Sequence, residues 1–431
     1  MNIASARVPR TMAAADALAL VHSGQRVYIG GGCGVPTTLL DTLVEHAPTL
    51  RNVEILHMLT AGDDPTASPE LTESFRHNAL FIGSNVRRAV HEGRADFTPI
   101  FLSEIPRLFR SGQLPIDVAL IQVSPPDQHG FCSFGVEVGC TLPAAQLART
   151  VIAEVNTQMP RTLGDSFIHI SRLAACVETD RPLAELPQGE SNPIAERIGQ
   201  HISDLIPDGA TLQLGIGAIP DAVLRYLSHK RHLGIHSELF SDGIVDLVEA
   251  GVVDGEAKTL HRGKLVAGFL LGSRRLFEWA HNNAMVELHP TDYVNDPFVI
   301  AQHRRMVAIN SALQVDLTGQ VCADSIGTQF YSGAGGQVDF IRGASRSEEG
   351  VPIIALPATA MGGQLSRIVP TLDIGAGVVT SRYDVHYVIT EYGVAKLYGS
   401  TLARRVRALI NIAHPDFRPK LLEEAQKLHY I

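Results

Sequence analysis

Two stretches of this chain share one pattern, an apolar strand, a glycine turn, a helix and a second strand, set roughly 185 residues apart. In the first, Ser23-Gly24 leads into RVYIGGGCGVPTTLLDTLVEHA and a strand over residues 53–59. In the second, Asp208-Gly209 leads into a strand over residues 211–214, the turn GIGAIP, a helix starting near Pro220 and a strand over residues 233–237. Gly30 and Gly32 match Gly215 and Gly217, Pro36 matches Pro220 within one residue, and residues 53–58 match residues 233–238. DVALIQVSPPDQHGFCSFG (117–135) and VAINSALQVDLTGQVCADS (307–325) repeat a further pattern: an apolar strand, an Asp, a Gly three residues later and another apolar stretch. A duplicated strand–turn–helix order predicts an α/β fold of two similarly folded halves, each a mostly parallel sheet with helices. RPLAELPQGESNP (181–193) has neither hydrophobic period and reads as the linker. The expected domains are therefore residues 1–185 and 190–431.

Composition agrees with this division and narrows the function classes. A chain of 431 residues suits two domains, and 45% hydrophobic with 19% charged residues describes a folded chain rather than a disordered one. The net charge of −9 offers no basic footprint, which argues against nucleic acid as the partner. No apolar run approaches the length of a membrane span, and the N-terminus lacks the apolar core of a secretory signal. Its Ala, Ser and Arg content leaves a short organellar presequence open. The five cysteines are an odd number with no C-x-x-C pair, and they read as reduced thiols of a cytoplasmic protein. Among 18 histidines no pair shows convincing ligand spacing, so no metal site is expected.

Glu238 follows the second strand of the second repeat, ahead of a helix over residues 242–249 whose apolar positions Ile244, Val245, Leu247 and Val248 have helical spacing. Ligands of open α/β sheets bind at such carboxyl ends of strands. An arbitrary Glu there is most often a solvated residue preceding a helix. In the repeat, however, Met58 takes the place of Glu238, so the carboxyl group is a difference between two sites and not a need of the fold. GIGAIP can bring backbone N–H groups and a helix N-terminus to an anion. Pro220 stands where a third glycine would complete a dinucleotide fingerprint, and GGGCG (30–34) lacks the Lys-Ser/Thr of a P-loop. SGAGGQVDF (332–340) offers small residues and free N–H groups, the material of an oxyanion site or simply of a loop. Asn310, a polar residue in an apolar strand, needs a hydrogen-bond partner.

QLGIGAIPDAV, GIHSELFSDGIVDL, INSALQVDLTGQ, SGAGGQVDF and ITEYGVAKLYG occur in that order over nearly the whole chain. Together they resemble the acetyl-CoA hydrolase/transferase family, and within it the 4-hydroxybutyrate and butyrate:acetate coenzyme A transferases. The resemblance implies two α/β domains with the site in the cleft between them, and a homodimer. It implies that Glu238 is the nucleophile, forming a glutamyl-CoA thioester in a ping-pong transfer of CoA from a short-chain acyl-CoA to a carboxylate such as acetate. Asn310 would lie near the CoA sulfur. Gly215, Ile216, Gly217, Ala218 and Ile219, with Gly335, Gly336 and Ala360, would supply oxyanion donors or contact CoA, which is a substrate and not a tightly bound cofactor. Met58 is the candidate for lining the acyl pocket. Where several members of the family carry a lysine this chain has Met361, and Arg367 or Lys396 would have to supply the charge. Glu391 belongs to the TEYG motif, either binding CoA or bracing the domain. An acyl-CoA hydrolase using the same Glu, and a non-catalytic CoA-binding protein, are the alternatives.

Overall fold

A computed structural model describes residues 10–186, 189 and 192–431. Residues 187, 188, 190 and 191 of the expected linker lie outside the described residues. The chain divides into two compact units: residues 1–187 with 266–293, and residues 188–265 with 294–431. A single cut near residue 185 does not anticipate the return of 266–293 to the first unit. Backbone pairing explains that return. Leu270 donates to Val136 O at 2.8 Å, Val138 to Gly268 O at 3.1 Å, and Leu288 lies in parallel register with Gly164.

In the first unit eight parallel strands run in the order Arg10–Thr11, Ala175–Thr179, Thr150–Asn156, Val118–Val123, Arg26–Ile29, Val53–His57, Phe75–Ala79 and Asp96–Phe97. Val27, Ile29, Ile55 and Leu120 from this sheet pack with Leu39, Leu40 and Leu43 of the helix Thr37–His46. In the second unit Tyr387–Thr390, Val351–Ala355, Met306–Ser311, Thr211–Leu214 and Gly234–Phe240 are successive parallel neighbours, and Gly393–Lys396 adds an antiparallel edge. Its core joins Val315, Ile341, Ile354, Val388, Val406 and Leu409.

The repeat is visible in three dimensions. Arg26–Ile29 lies between Val118–Val123 and Val53–His57, and Thr211–Leu214 lies between Met306–Ser311 and Gly234–Phe240. Both Asp-x-x-Gly motifs close the same turn: Gly130 N–H bonds Asp127 O and Gly319 N–H bonds Asp316 O, each at 2.9 Å with a left-handed glycine.

One local expectation changes and two further details emerge. The first helix is only Ala14–Leu18, because Leu20 and Val21 turn back onto carbonyls three residues earlier. The strand read to residue 237 runs to Phe240, its last two side chains, Leu239 and Phe240, being buried. TEYG is the turn of a hairpin, with Thr390 paired to Gly393. Among the described residues no helix is long and apolar enough to cross a membrane.

Candidate active site

The strand GIHSELF is buried at every position except Glu238, which retains some contact with solvent. Ser237 ties this strand to its neighbour where the two part: its Oγ donates to Leu214 O at 3.1 Å and accepts from Leu214 N–H at 3.3 Å. The glycine turn begins there. Gly217 has φ 108°, a conformation costly for any other residue, and caps the helix Ala218–Arg225. A cavity of about 210 Å³ opens beside the turn, lined in part by Ile216, Ala218, Ile219, Pro220, Ser311 and Pro357. Four of the expected CoA-contacting turn positions, residues 216–219, thus lie on or next to one open cavity.

The Glu238 carboxylate meets two groups from distant parts of the chain. Asn295 Nδ2 donates to Oε2 at 3.3 Å, and the Gly336 backbone N–H also favours the ionised form. A Cβ on Gly336 would overlap both Glu238 Oε2 and Asn295 Nδ2, so only glycine permits this approach. Gly336 is the N-cap of the ten-residue helix Gln337–Arg346, whose N-terminal dipole favours negative charge. Gln337 holds that end in place, donating to Ser311 O at 2.6 Å and accepting from Thr380 Oγ1 at 3.1 Å. Removal from water outweighs these donors, and the Glu238 pKa is pushed up from 4.5 to about 7.

Asn295 is fully buried, and its amide must turn Nδ2 towards the carboxylate, which leaves Oδ1 without a hydrogen-bond partner. Its backbone is anchored by the same strand that carries Glu238. His236, two residues earlier, donates from Nε2 to Val294 O at 2.9 Å. The imidazole is fully buried and packs against His303, with ring centroids 4.4 Å apart and the planes tilted by 44°. Burial first, then His303 and Lys258, hold its pKa well below the ordinary value, so the ring is neutral.

Asn295 went unnoticed in the sequence because TDYVNDPF carries no periodic signal, and its contact with Glu238 spans 57 residues. Asn310 lies on the strand Met306–Ser311, separated from the Glu238 strand by Thr211–Leu214, and donates to Gln213 Oε1 of that intervening strand at 3.0 Å. Gly335, left-handed at φ 52°, precedes Gly336. Ala360 begins a short hairpin with Leu365, and Met361 beyond it is 69% exposed. Arg367 is half-buried, donating to Ala312 O at 3.2 Å, while Lys396 stands over the Tyr387 ring. Glu391 accepts from Ala358 N–H at 2.8 Å and is buried, bracing the PAT turn. Met58 is buried just beyond the strand Val53–His57. Three side chains of a kind that can ligate a metal, His57, Asp64 and His77, converge with their nitrogen and oxygen atoms within 4.8 Å of one another, a proximity that spacing along the chain does not reveal.

The acetyl-CoA hydrolase/transferase N-terminal domain matches residues 6–187, and the C-terminal domain of the same family matches residues 272–425. The 4-hydroxybutyrate coenzyme A transferase of Clostridium kluyveri is 53% identical over 97% of this chain and 97% of its own. A succinyl-CoA:acetate/propanoyl-CoA:succinate CoA transferase of Fasciola hepatica is 47% identical over 95% of this chain and 86% of its own. The crystal structure of a 4-hydroxybutyrate CoA-transferase from Porphyromonas gingivalis superimposes with a TM-score of 0.84 at 42% identity, covering 97% and 98% of the two chains. With both of its domain types matched in order and relatives aligned along almost its full length, this chain belongs to the acetyl-CoA hydrolase/transferase family.

Proposed function

We propose that this chain is a coenzyme A transferase that moves CoA from a short-chain acyl-CoA to a carboxylate acceptor through a glutamyl-CoA thioester on Glu238. The observation that carries the reading is the Glu238 carboxyl, held by Asn295 and Gly336 N–H and crowded enough to titrate near neutrality. A carboxylate attacks a thioester poorly in water; stripped of solvent and fixed in place, it becomes a usable nucleophile.

A Glu238 oxygen adds to the thioester carbonyl, the C–S bond breaks, and CoA thiolate leaves behind an acyl-glutamyl anhydride. The thiolate then adds to the glutamyl carbonyl and expels the first carboxylate. The acceptor carboxylate runs these steps in reverse and departs as the new acyl-CoA. Both tetrahedral intermediates carry an oxyanion that needs preorganised donors. Asn295 Nδ2 and Gly336 N–H serve that need at the glutamyl carbonyl. The cavity beside residues 216–219 receives part of CoA, and Asn310 borders the sulfur. The 4-hydroxybutyrate and succinyl transferases among the relatives favour a short acyl group or small dicarboxylate.

Incubation with butyryl-CoA or acetyl-CoA and no acceptor, followed by peptide mass spectrometry, tests the reading. A CoA adduct is expected on the Glu238 peptide, absent in Glu238→Ala and discharged by acetate. Discharge by water as fast as by acetate would make the chain a hydrolase. No adduct with any short acyl-CoA would remove the nucleophile.

A further inference from the structure

In the first unit, His57 at the end of its strand and His77 on the neighbouring strand Phe75–Ala79 face each other beside Asp64. His57 Nε2 and His77 Nδ1 are 3.2 Å apart, and Asp64 Oδ2 is 3.9 Å from His77 Nδ1. All three side chains are at least 97% buried. A carboxylate enclosed with two imidazoles is a costly arrangement without a positive charge among them.

Thr66 decides which ring nitrogens are free to ligate. Its hydroxyl proton goes to Asp64 Oδ1 at 2.6 Å, and its backbone N–H donates to the same oxygen at 3.0 Å. Having spent its only proton, Thr66 Oγ1 can only accept from His77 Nε2 at 3.0 Å. His77 Nε2 therefore carries the hydrogen, and Nδ1 turns a lone pair towards His57 and Asp64. Asp64 Oδ1 is occupied, and Oδ2 faces the same point. This is the arrangement in which a polar neighbour fixes the tautomer of a metal-ligating imidazole. The separation of 3.2 Å between the two ring nitrogens is close to the roughly 3.3 Å between nitrogens bound tetrahedrally at about 2.0–2.1 Å from zinc.

We propose that His57, His77 and Asp64 form a binding site for one divalent transition-metal ion of the zinc type, with Thr66 as the residue that orients two of the ligands. Two imidazoles and one carboxylate are a borderline donor set that suits zinc, cobalt or nickel better than magnesium or calcium. The fourth position would be taken by water. The ion would cross-link two strands of the sheet with the 63–69 loop, directly ahead of Met58. The inference does not rest on the transferase reading.

The test uses the untagged full-length chain, stripped with a chelator and dialysed, then titrated with Co²⁺ and Zn²⁺. One equivalent of Co²⁺ is expected to give visible d–d bands of a four-coordinate site, Zn²⁺ is expected to displace it, and Zn²⁺ is expected to raise Tm. Asp64→Asn, which keeps the side-chain volume and leaves both histidines in place, should weaken binding at least tenfold and remove the Tm shift. Thr66→Val should weaken it about tenfold with all ligands present. His22→Gln, on the surface, should change nothing. A stripped chain that binds no Co²⁺ at 100 μM would overturn the proposal, leaving a shared proton between the two rings. Binding that survives both Asp64→Asn and Thr66→Val would overturn it too, because the metal would then sit on other histidines.

Discussion

At the scale of single residues, Glu238, the proposed nucleophile, is a carboxyl whose pKa burial raises to about 7. Only its ionised form can attack, so kcat/KM is expected to rise with pH through about 7, measured across pH 5.5–9. Asn295 bonds that ionised form, and its loss removes a donor that lowers the pKa. Asn295→Ala should therefore move the acid limb to higher pH and lower kcat by about a hundred- to a thousandfold, the range for one oxyanion donor. An unshifted limb would separate Asn295 from the carboxylate. Gly336→Ala meets a harder limit, since the added methyl overlaps Glu238 and Asn295 together. That variant should fold with little change in Tm and form no CoA adduct. Glu238 stands out as a candidate through its motif and its mismatch with Met58 in the repeat. Asn295 does not, because a residue that acts through one long-range contact leaves no periodic trace.

Elements place these residues. The strand Gly234–Phe240 presents His236 and Glu238 on one face, as alternate residues must. One grips the Val294 carbonyl and the other meets the Asn295 side chain. His236 is thus a positioning residue for Asn295. His236→Phe keeps the ring but not the donor, and it should slow adduct formation at least tenfold with the KM for acyl-CoA little changed. His236→Gln, which restores an N–H, should recover most of the rate. His303→Phe is the control, since His303 packs against the His236 ring and has neither ring nitrogen hydrogen-bonded. Equal losses in His236→Phe and His303→Phe would show packing alone at work. The helix over 242–249 and the two glycine turns were readable from apolar spacing and from glycine itself. The end of the Glu238 strand was not, because SELF shows no alternation and the following SDG reads as a turn.

Across the whole molecule, two buried carboxyls tie stability to pH. Burial raises Glu137 in the first unit from 4.5 to about 7, against the Thr141 hydroxyl and nearby N–H groups, as it does Glu238 in the second. Below about pH 4.5 both groups are neutral folded or unfolded. As pH rises to about 7 the unfolded chain ionises first, and the stability contributed by the neutral folded carboxyls is lost, each by up to about 3 kcal/mol. Taken alone this pair lowers Tm between pH 5 and 8, while the buried His236 and His303, whose pKa values burial depresses, act in the opposite sense. Glu137→Gln and Glu238→Gln should each raise Tm at pH 8 more than at pH 5, and the reverse ordering would contradict the burial assigned to these groups. The sequence by itself determined the duplicated α/β architecture, the glycine turns and the strand that carries Glu238. Those depend on local periodicity and on backbone conformations that few residues tolerate. Only the tertiary structure decided that residues 266–293 rejoin the first unit, that Asn295 and Gly336 meet Glu238, and that His57, Asp64 and His77 converge. Each of these depends on contacts between segments far apart in the chain, where pairing and burial, not neighbouring residues, set the geometry.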